Sequence, residues 1–328
     1  MIISVSLLAG VLGGFWLWQR YVGFTDRPFT GLADGVTVQV ARGDSFATVL
    51  SKLRDAGIHQ GHDLEWRWLA KQMDAAGRIK VGEYAIDADM TPREILQRMH
   101  DGKVIHYRFT LVEGWNFRQM RAALSQAQPL LQRTSDLDDA ALMEKLGYSG
   151  QHPEGRFLPE TYLYQRGDSD LDILRRAYTA MQETLAEAWA ARVSDIPLQS
   201  PDEVLILASI VEKETGLSVE RPLIAGVFTR RLQRGMLLQT DPTVIYGMGN
   251  AYAGNIRRRD LETDTPYNTY TRPGLPPTPI AMPGKAAIQA TLNPASGNAL
   301  FFVSRNDGSH AFSATYAEHS AFVDCYQR

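Results

Sequence analysis

Asp202-Glu-Val-Leu-Ile-Leu-Ala-Ser-Ile-Val-Glu-Lys-Glu-Thr-Gly216 begins with two acids. It then runs apolar from Val204 to Val211, interrupted only by the small Ala208 and Ser209. The pattern predicts a helix over residues 202–215 with Gly216 as its stop. A helix that is apolar on most sides is a buried one, so the surrounding chain must supply at least a second layer to enclose it. Two carboxylates, Glu212 and Glu214, arrive together at its end. At about 100° per residue they lie on nearly opposite faces. Glu214 continues the stripe of Leu207, Ile210 and Val211, and Glu212 continues the smaller, more polar row of Leu205, Ala208 and Ser209. A carboxyl on an apolar stripe is disfavoured as an anion by desolvation, and the negative end of the helix dipole acts the same way. Both effects make Glu214 a candidate proton donor near neutral pH, the property general-acid catalysis needs. The same residues also read as the polar end of a buried helix.

Downstream, residues 219–234 fit another helix, and from Gln239 the texture changes to Gly, Pro, Thr, Tyr and Asn. Leu238 to Pro283 holds seven prolines and few apolar runs. So long a loop inside a compact domain is usually functional or disordered, and the tyrosines and charges spread among its turn formers suggest an ordered binding surface. Asp241 precedes a proline, a common turn pairing. Leu300–Val303 and His310–Phe312 read as a strand pair turned by Asn306-Asp307-Gly308, with a final helix over residues 317–326.

Upstream, helices fit residues 117–126, 138–146 and 170–193, and Tyr107–Val112 fits a strand. Before them, residues 36–108 read as a small module. Val36–Ala41 alternates as a strand, and Ser45 caps a helix over residues 46–56 that stops at Gly57. A second helix covers residues 64–75 and a strand covers residues 82–86. Thr91-Pro-Arg-Glu94 then opens a third helix as cap, first-turn proline and capping-box glutamate. Residues 22–35 are rich in Gly, Asp, Thr and Pro and read as a linker. Met1 to Trp18 carries no charged side chain and is about long enough to cross a bilayer. Phe15, Trp16, Trp18 and Tyr21 gather at one end, as an interfacial belt would. A cleaved signal peptide would show a basic start and a small-residue cleavage site, so an uncleaved single-pass anchor over residues 1–21 is favoured. Charge does not orient it. The expected class is therefore α+β: a transmembrane anchor (1–21), a linker (22–35), a small α+β module (36–108) and a larger mixed α+β domain (109–328).

Composition excludes several classes. Of 328 residues, 44% are hydrophobic and 22% charged, as in an ordinary globular protein. A net charge of -3 gives no basic face for nucleic acid. The single cysteine, Cys325, rules out an intramolecular disulfide framework, and the seven histidines (59, 62, 100, 106, 152, 310, 319) show no metal spacing, His59 and His62 falling in a polar loop. No Gly-rich phosphate loop follows a strand, and Ser209 lacks a nucleophile elbow. No metal or cofactor is expected.

Several blocks taken together carry a resemblance: Ala208-Ser-Ile-Val-Glu-Lys-Glu-Thr215, Glu220-Arg221, Phe228-Thr-Arg-Arg-Leu232, Leu238-Gln-Thr-Asp-Pro-Thr-Val-Ile-Tyr-Gly247, Thr265-Pro-Tyr-Asn-Thr-Tyr270, Gly274-Leu-Pro-Pro277, Pro279-Ile280 and Pro283-Gly284. With Leu111-Val-Glu-Gly114 they closely resemble the YceG-like family of endolytic murein transglycosylases, and the likeness spans the chain. The resemblance implies that the 36–108 module is LysM-like and that Glu214 is the catalytic carboxyl. It implies cleavage of the β-1,4 bond from N-acetylmuramic acid to N-acetylglucosamine without water, leaving a 1,6-anhydro ring. One carboxyl then serves as acid and afterwards as base, a departure from the usual two-carboxylate scheme. On this reading Tyr246, Tyr267 and Tyr270 stack on sugar rings, or else pack in the core. Gln239, Thr240, Asp241, Thr243, Asn268 and Thr269 contact substrate polar groups. Asp241 would be the suspect partner in a water-using muramidase. Glu154-Gly155 and Leu158-Pro-Glu-Thr-Tyr162 match another segment of the family and make Glu160 a further cleft candidate. The expected setting is the bacterial inner membrane, body on the periplasmic side, with peptidoglycan strands as substrate and peptidoglycan synthases as partners. The other reading left open is a non-catalytic wall-binding scaffold.

Overall fold

The computed structural model describes residues 2–29, 31–33 and 35–327, with side chains from Val11 onward. Contacts divide the chain into two compact units, Met1–Tyr107 with Leu163–Asp168, and Arg108–Tyr162 with Ser169–Arg328.

The first unit holds α1 (Ile2–Thr25), β1 (Val36–Val40), α2 (Phe46–Asp55), α3 (Asp63–Gln72), β2 (Gly82–Ile86) and α4 (Pro92–Asp101). β1 and β2 pair antiparallel, from Val36 opposite Ile86 to Val40 opposite Gly82. Val38, Val40, Leu53, Trp66, Tyr84, Ile95 and Met99 form the core beneath the helices. Local chemistry sets the ends. Ser45 accepts the Thr48 N–H, Thr91 and Glu94 close a capping box around Pro92, and Gly102 ends α4 in the left-handed region. His62 is not idle loop: it caps α3, accepting the Leu64 N–H while Glu65 returns the capping-box bond. α3 stops at Gln72 rather than at Ala75, and the chain turns at Asp74 with φ 54°.

The expected linker is only partly one. α1 continues to Thr25, and Phe24 and Phe29 are buried against Trp66, with ring centroids 5.4 and 6.5 Å away. Two aromatic rings remove enough apolar area from water to hold the segment down, which its Gly and Asp content concealed. The expected anchor falls partly outside the described residues, since nothing is described of the side chains before Val11. From there Val11, Leu12, Phe15, Trp16, Leu17 and Trp18 are exposed. Among the described residues no helix is long and apolar enough to cross a membrane.

The second unit carries α5 (Phe117–Ser125), α6 (Asp139–Leu146), α7 (Asp170–Ala190), α8 (Pro201–Glu214), α9 (Arg221–Gln233), α10 (Asp241–Met248), α11 (Arg258–Glu262), α12 (Lys285–Leu292) and α13 (Tyr316–Tyr326). β3 (Tyr107–Thr110) with β4 (Thr161–Tyr164), whose Tyr107, Leu163 and Tyr164 belong to the first unit, and β5 (Phe301–Ser304) with β6 (His310–Ser313), form two-stranded sheets. The last is the expected hairpin, Phe301 opposite Ser313. α8 lies at the centre against α7, α9 and α12. Val204, Leu205, Leu207, Ala208, Ile210 and Val211 are fully buried. Ser200 caps its start, accepting the Glu203 N–H, with Pro201 in the first turn. Its end differs from expectation. The helix stops at Glu214 because Thr215 turns extended (φ -145°, ψ 137°), and Gly216 supplies no left-handed stop.

The long Pro-rich stretch is not all loop. Asp241-Pro242 opens α10 instead of making an isolated turn, since a first-turn proline gives up only an orphan N–H and an acid there suits the dipole. α11 also lies within the stretch, and α12 begins just beyond it, after Gly284.

Candidate functional site

Glu214 is the last residue of buried α8, and α10 begins beside it. The Thr240 hydroxyl makes no helix-capping bond; it donates instead to Glu214 Oε1. Burial pushes the Glu214 carboxyl up to about 7, and nearby Asp241 adds to the rise against the Thr240 bond and His310. Asp241 Oδ1 in turn accepts the Tyr270 hydroxyl at 2.5 Å. Burial and that bond push the Tyr270 phenol up, so it remains a neutral donor. One carboxyl is thus poised to hold or release a proton near neutrality, while the carboxylate beside it is already engaged.

A threonine lattice supports this point. Thr269 Oγ1 accepts the Thr240 N–H at 3.1 Å and pairs with Thr243 Oγ1 at 2.9 Å, and Thr243 donates to the Thr240 carbonyl at 2.8 Å. Thr240, Thr243 and Thr269 are all buried. Asn268 is buried too. Its amide donates to the carbonyls of Leu261 and Thr263, and its oxygen accepts the Tyr270 N–H at 2.9 Å. The hydrogen bonds of Thr243, Asn268 and Thr269 are therefore made inside the protein, where they shape the loop that carries Tyr270. Gln239 sits at φ 52°, a left-handed backbone uncommon for a non-glycine residue, just before Thr240. Arg231 anchors that turn through the carbonyls of Leu237 and Leu238 at 3.0 and 2.9 Å and reaches Gln239 Oε1 at 3.3 Å.

Tyr246 and Tyr267 are half-buried with ring centroids 4.9 Å apart, and Tyr267 pairs with Thr278 at 2.8 Å. The Tyr246 hydroxyl donates to Glu154 Oε2 at 3.1 Å, and the Phe117 N–H donates to Glu154 Oε1 at 2.9 Å. Glu154 is buried, and burial pushes it to about 7 against those bonds. The isolated Glu154-Gly155 of the sequence carries no pattern that predicts burial. A cavity of about 1030 Å³ opens here, lined by Asn116, Arg118, Glu154, Lys213, Tyr246 and Tyr252 among others. Glu214 does not line this cavity; α8 and α10 serve both, through Lys213 and Tyr246.

Glu212, the other acid of the pair, serves the frame. Its side chain is 5% exposed, pairs with Arg221 at 3.1 Å and accepts the Gly284 N–H at 2.9 Å. A side chain at Gly284 would place its Cβ 2.0 Å from Glu113 Oε1, so the Glu113 side chain would have to swing aside. The polar row drawn for Glu212 is in effect an ion-pair socket, which sequence periodicity has no means of showing. Glu160 is exposed and pairs with Lys285 at 3.2 Å, outside the Thr240 network. Among the described residues no group of His, Cys, Asp and Glu is placed to hold a metal.

A mixed α+β body whose buried central helix ends in a carboxyl pushed up to about 7 has a group able to hold or release a proton near neutrality, as acid–base chemistry requires. The chain belongs to the YceG-like family, whose profile matches residues 38–325. It is 28% identical over 308 residues to an endolytic murein transglycosylase of Bacillus subtilis, covering 89% of this chain and 84% of that one. It is 26% identical over 300 residues to the enzyme so named in Streptococcus pneumoniae, covering 82% of this chain but 54% of that longer protein. The crystal structure of a YceG-like protein from Listeria monocytogenes superposes with a TM-score of 0.56 at 28% identity, over 88% of this chain and 99% of that one.

Proposed function

We propose that the chain is an endolytic lytic transglycosylase of peptidoglycan, with Glu214 as its acid and base. Protonated Glu214 gives its proton to the glycosidic oxygen leaving C1 of N-acetylmuramic acid. The C6 hydroxyl of the same sugar attacks C1, and the Glu214 carboxylate recovers a proton from that hydroxyl. One C–O bond breaks, one forms, no water is consumed and a 1,6-anhydro end remains. The observation that carries this reading is the Glu214 carboxyl, pushed to about 7 and bound by Thr240 at the end of α8. Asp241 already accepts the Tyr270 hydroxyl, which favours the anhydro route over a muramidase in which Asp241 would activate water. In this assignment Gln239, Tyr246, Tyr267, Tyr270 and the cavity beside Glu154 receive the glycan, and Thr243, Asn268 and Thr269 shape the receiving surface. Mass spectrometry of glycan strands incubated with residues 22–328 tests it. Anhydromuramyl ends support the reading; reducing ends move it to hydrolysis and bring Asp241 forward; intact strands that still bind support a scaffold.

The Thr240 bond gives a pH prediction. A donated hydrogen bond favours the carboxylate, so Thr240→Val raises the Glu214 pKa by up to about one unit. The limb on which kcat/KM falls as the acid deprotonates should then move to higher pH. A limb that stays in place would mean another group sets it.

The family placement and the exposed apolar run from Val11 to Trp18 support a single-pass anchor in the inner membrane, with the body on the periplasmic side. That setting also brings peptidoglycan synthases, the partners implied by the resemblance, within reach. We read residues 36–108, carrying β1, α2, α3, β2 and α4, as the LysM-like module. The full chain should sediment with membranes and residues 22–328 should not; a full chain recovered wholly in the soluble fraction would sink the anchor.

A further inference from the structure

The end of α8 has no glycine stop, yet the last residue of this helix must be aimed accurately. What holds it lies on the far side of Thr215. The Thr215 hydroxyl donates to Glu220 Oε2 at 3.3 Å and accepts the Leu217 N–H at 3.0 Å. Glu220, where α9 begins, uses its other valences on the C-terminal hairpin. Oε1 accepts the His310 N–H at 2.8 Å, and Oε2 lies 2.7 Å from His310 Nδ1. Thr215 and Glu220 are buried, and the His310 side chain is 13% exposed. Burial alone would raise Glu220; the two His310 bonds outweigh it and hold the carboxyl below its ordinary range, so it stands as an anion. The His310 ring lies edge-on to Phe302 at 5.4 Å, and Phe302 lies edge-on to Phe228 of α9 at 5.8 Å, so the imidazole has little room to swing.

We propose that Glu220 and His310 are a positioning pair for Glu214, fixing the residue after it so that its carboxyl meets Thr240 and the substrate. The role assigned to the carboxyl rests on the transglycosylase reading; the pair itself does not. The chain must leave α8 at once so that the Glu214 side chain is not wrapped in a further helical turn, and an extended Thr215 achieves that. Such an end leaves terminal carbonyls and a polar hydroxyl in a buried place, and Glu220 takes the hydroxyl. His310 contributes a second influence. It is close enough to pull the Glu214 carboxyl down, opposing burial and Asp241. The titratable groups around Glu214 are thus Asp241 on α10, Tyr270 on its loop and His310 on β6, with Glu220 facing His310 from α9. Neither Glu220 nor His310 touches the reacting atoms in this scheme.

Two readouts test the pair. His310→Ala and Glu220→Ala should lower kcat about tenfold to a hundredfold, the scale of a small misplacement, with KM little changed. His310→Asn keeps a donor where Nδ1 stands and should restore most of kcat; Glu220→Gln keeps one acceptor and covers the case in which Glu220→Ala does not fold. Carbon-detected NMR of the glutamate-labelled full chain in detergent micelles, with Glu214→Gln to assign the signal, reads Glu214 without any turnover. In both histidine variants the Glu214 titration should move up by as much as about one unit, because the influence of His310 that pulls it down is removed. A Glu214 titration and a kcat identical to wild type, with only the melting temperature lowered, would overturn the proposal and leave the pair a structural bolt. A wild-type protein without anhydro products would instead refute the transglycosylase reading, and the NMR arm would still decide the pair.

Discussion

Glutamine at position 214 is expected to slow strand cleavage about 10²–10⁴-fold, the range by which general acid–base groups accelerate proton transfer. The substitution is nearly isosteric. Its side-chain oxygen still accepts the Thr240 hydroxyl, so the lattice of Thr240, Thr243 and Thr269 stays in place. What is lost is the exchangeable proton, and one group is asked to give and to recover it. Both half-steps fail together, leaving no partial reaction to rescue the variant. Release of anhydromuramyl ends over time, beside a strand-binding assay that should be unchanged, measures this directly. Near-wild-type turnover would transfer the role to Glu154, the other carboxyl that burial pushes to about 7.

Arg221→Ala is expected to destabilise the second unit by about 3–5 kcal/mol, the usual result of stripping one partner from a buried ion pair. Arg221 is 12% exposed and Glu212 5% exposed at 3.1 Å. Without the guanidinium, Glu212 keeps only the Gly284 N–H, and Glu113, already raised by burial and by Glu212, gains a less compensated neighbour. Because α8 is the element that fails, activity should fall with the fold rather than ahead of it. Urea unfolding followed by circular dichroism gives the number. A loss below about 1 kcal/mol would place the pair with ordinary surface salt bridges.

Much of the architecture is readable from residues whose chemistry is local. Ser45, Thr91-Pro-Arg-Glu94, Gly102 and the Asn306-Asp307-Gly308 turn act within a few positions of themselves, and the structure has elements where they point. The buried stripe of α8 is legible for the same reason. What escaped depends on distant partners. Phe24 and Phe29 look like linker until Trp66 covers them, whereas the His62–Glu65 capping box is local and escaped because histidine is not a usual cap residue. Periodicity puts Glu212 and Glu214 on different faces, but their partners come from far along the chain: Arg221 and Gly284 for one, Thr240 for the other. Thr240 to Tyr270 could be named as a set from the family pattern. Which of them present atoms to a ligand and which brace the others depends on contacts some 29 residues apart, such as that of Tyr270 with Asp241.

Holding Glu214 near 7 also has a consequence for the endurance of the folded protein. Its carboxyl binds a proton more tightly when folded than when unfolded, where it would titrate near the ordinary glutamate value of 4.5. The contribution of the protonated side chain to stability is therefore complete in acid, declines as pH climbs from the unfolded value through about 7, and is gone in mild alkali. The very variant that silences the enzyme should for that reason melt higher than wild type above pH 7. Readiness to catalyse and resistance to unfolding pull against each other at this single side chain.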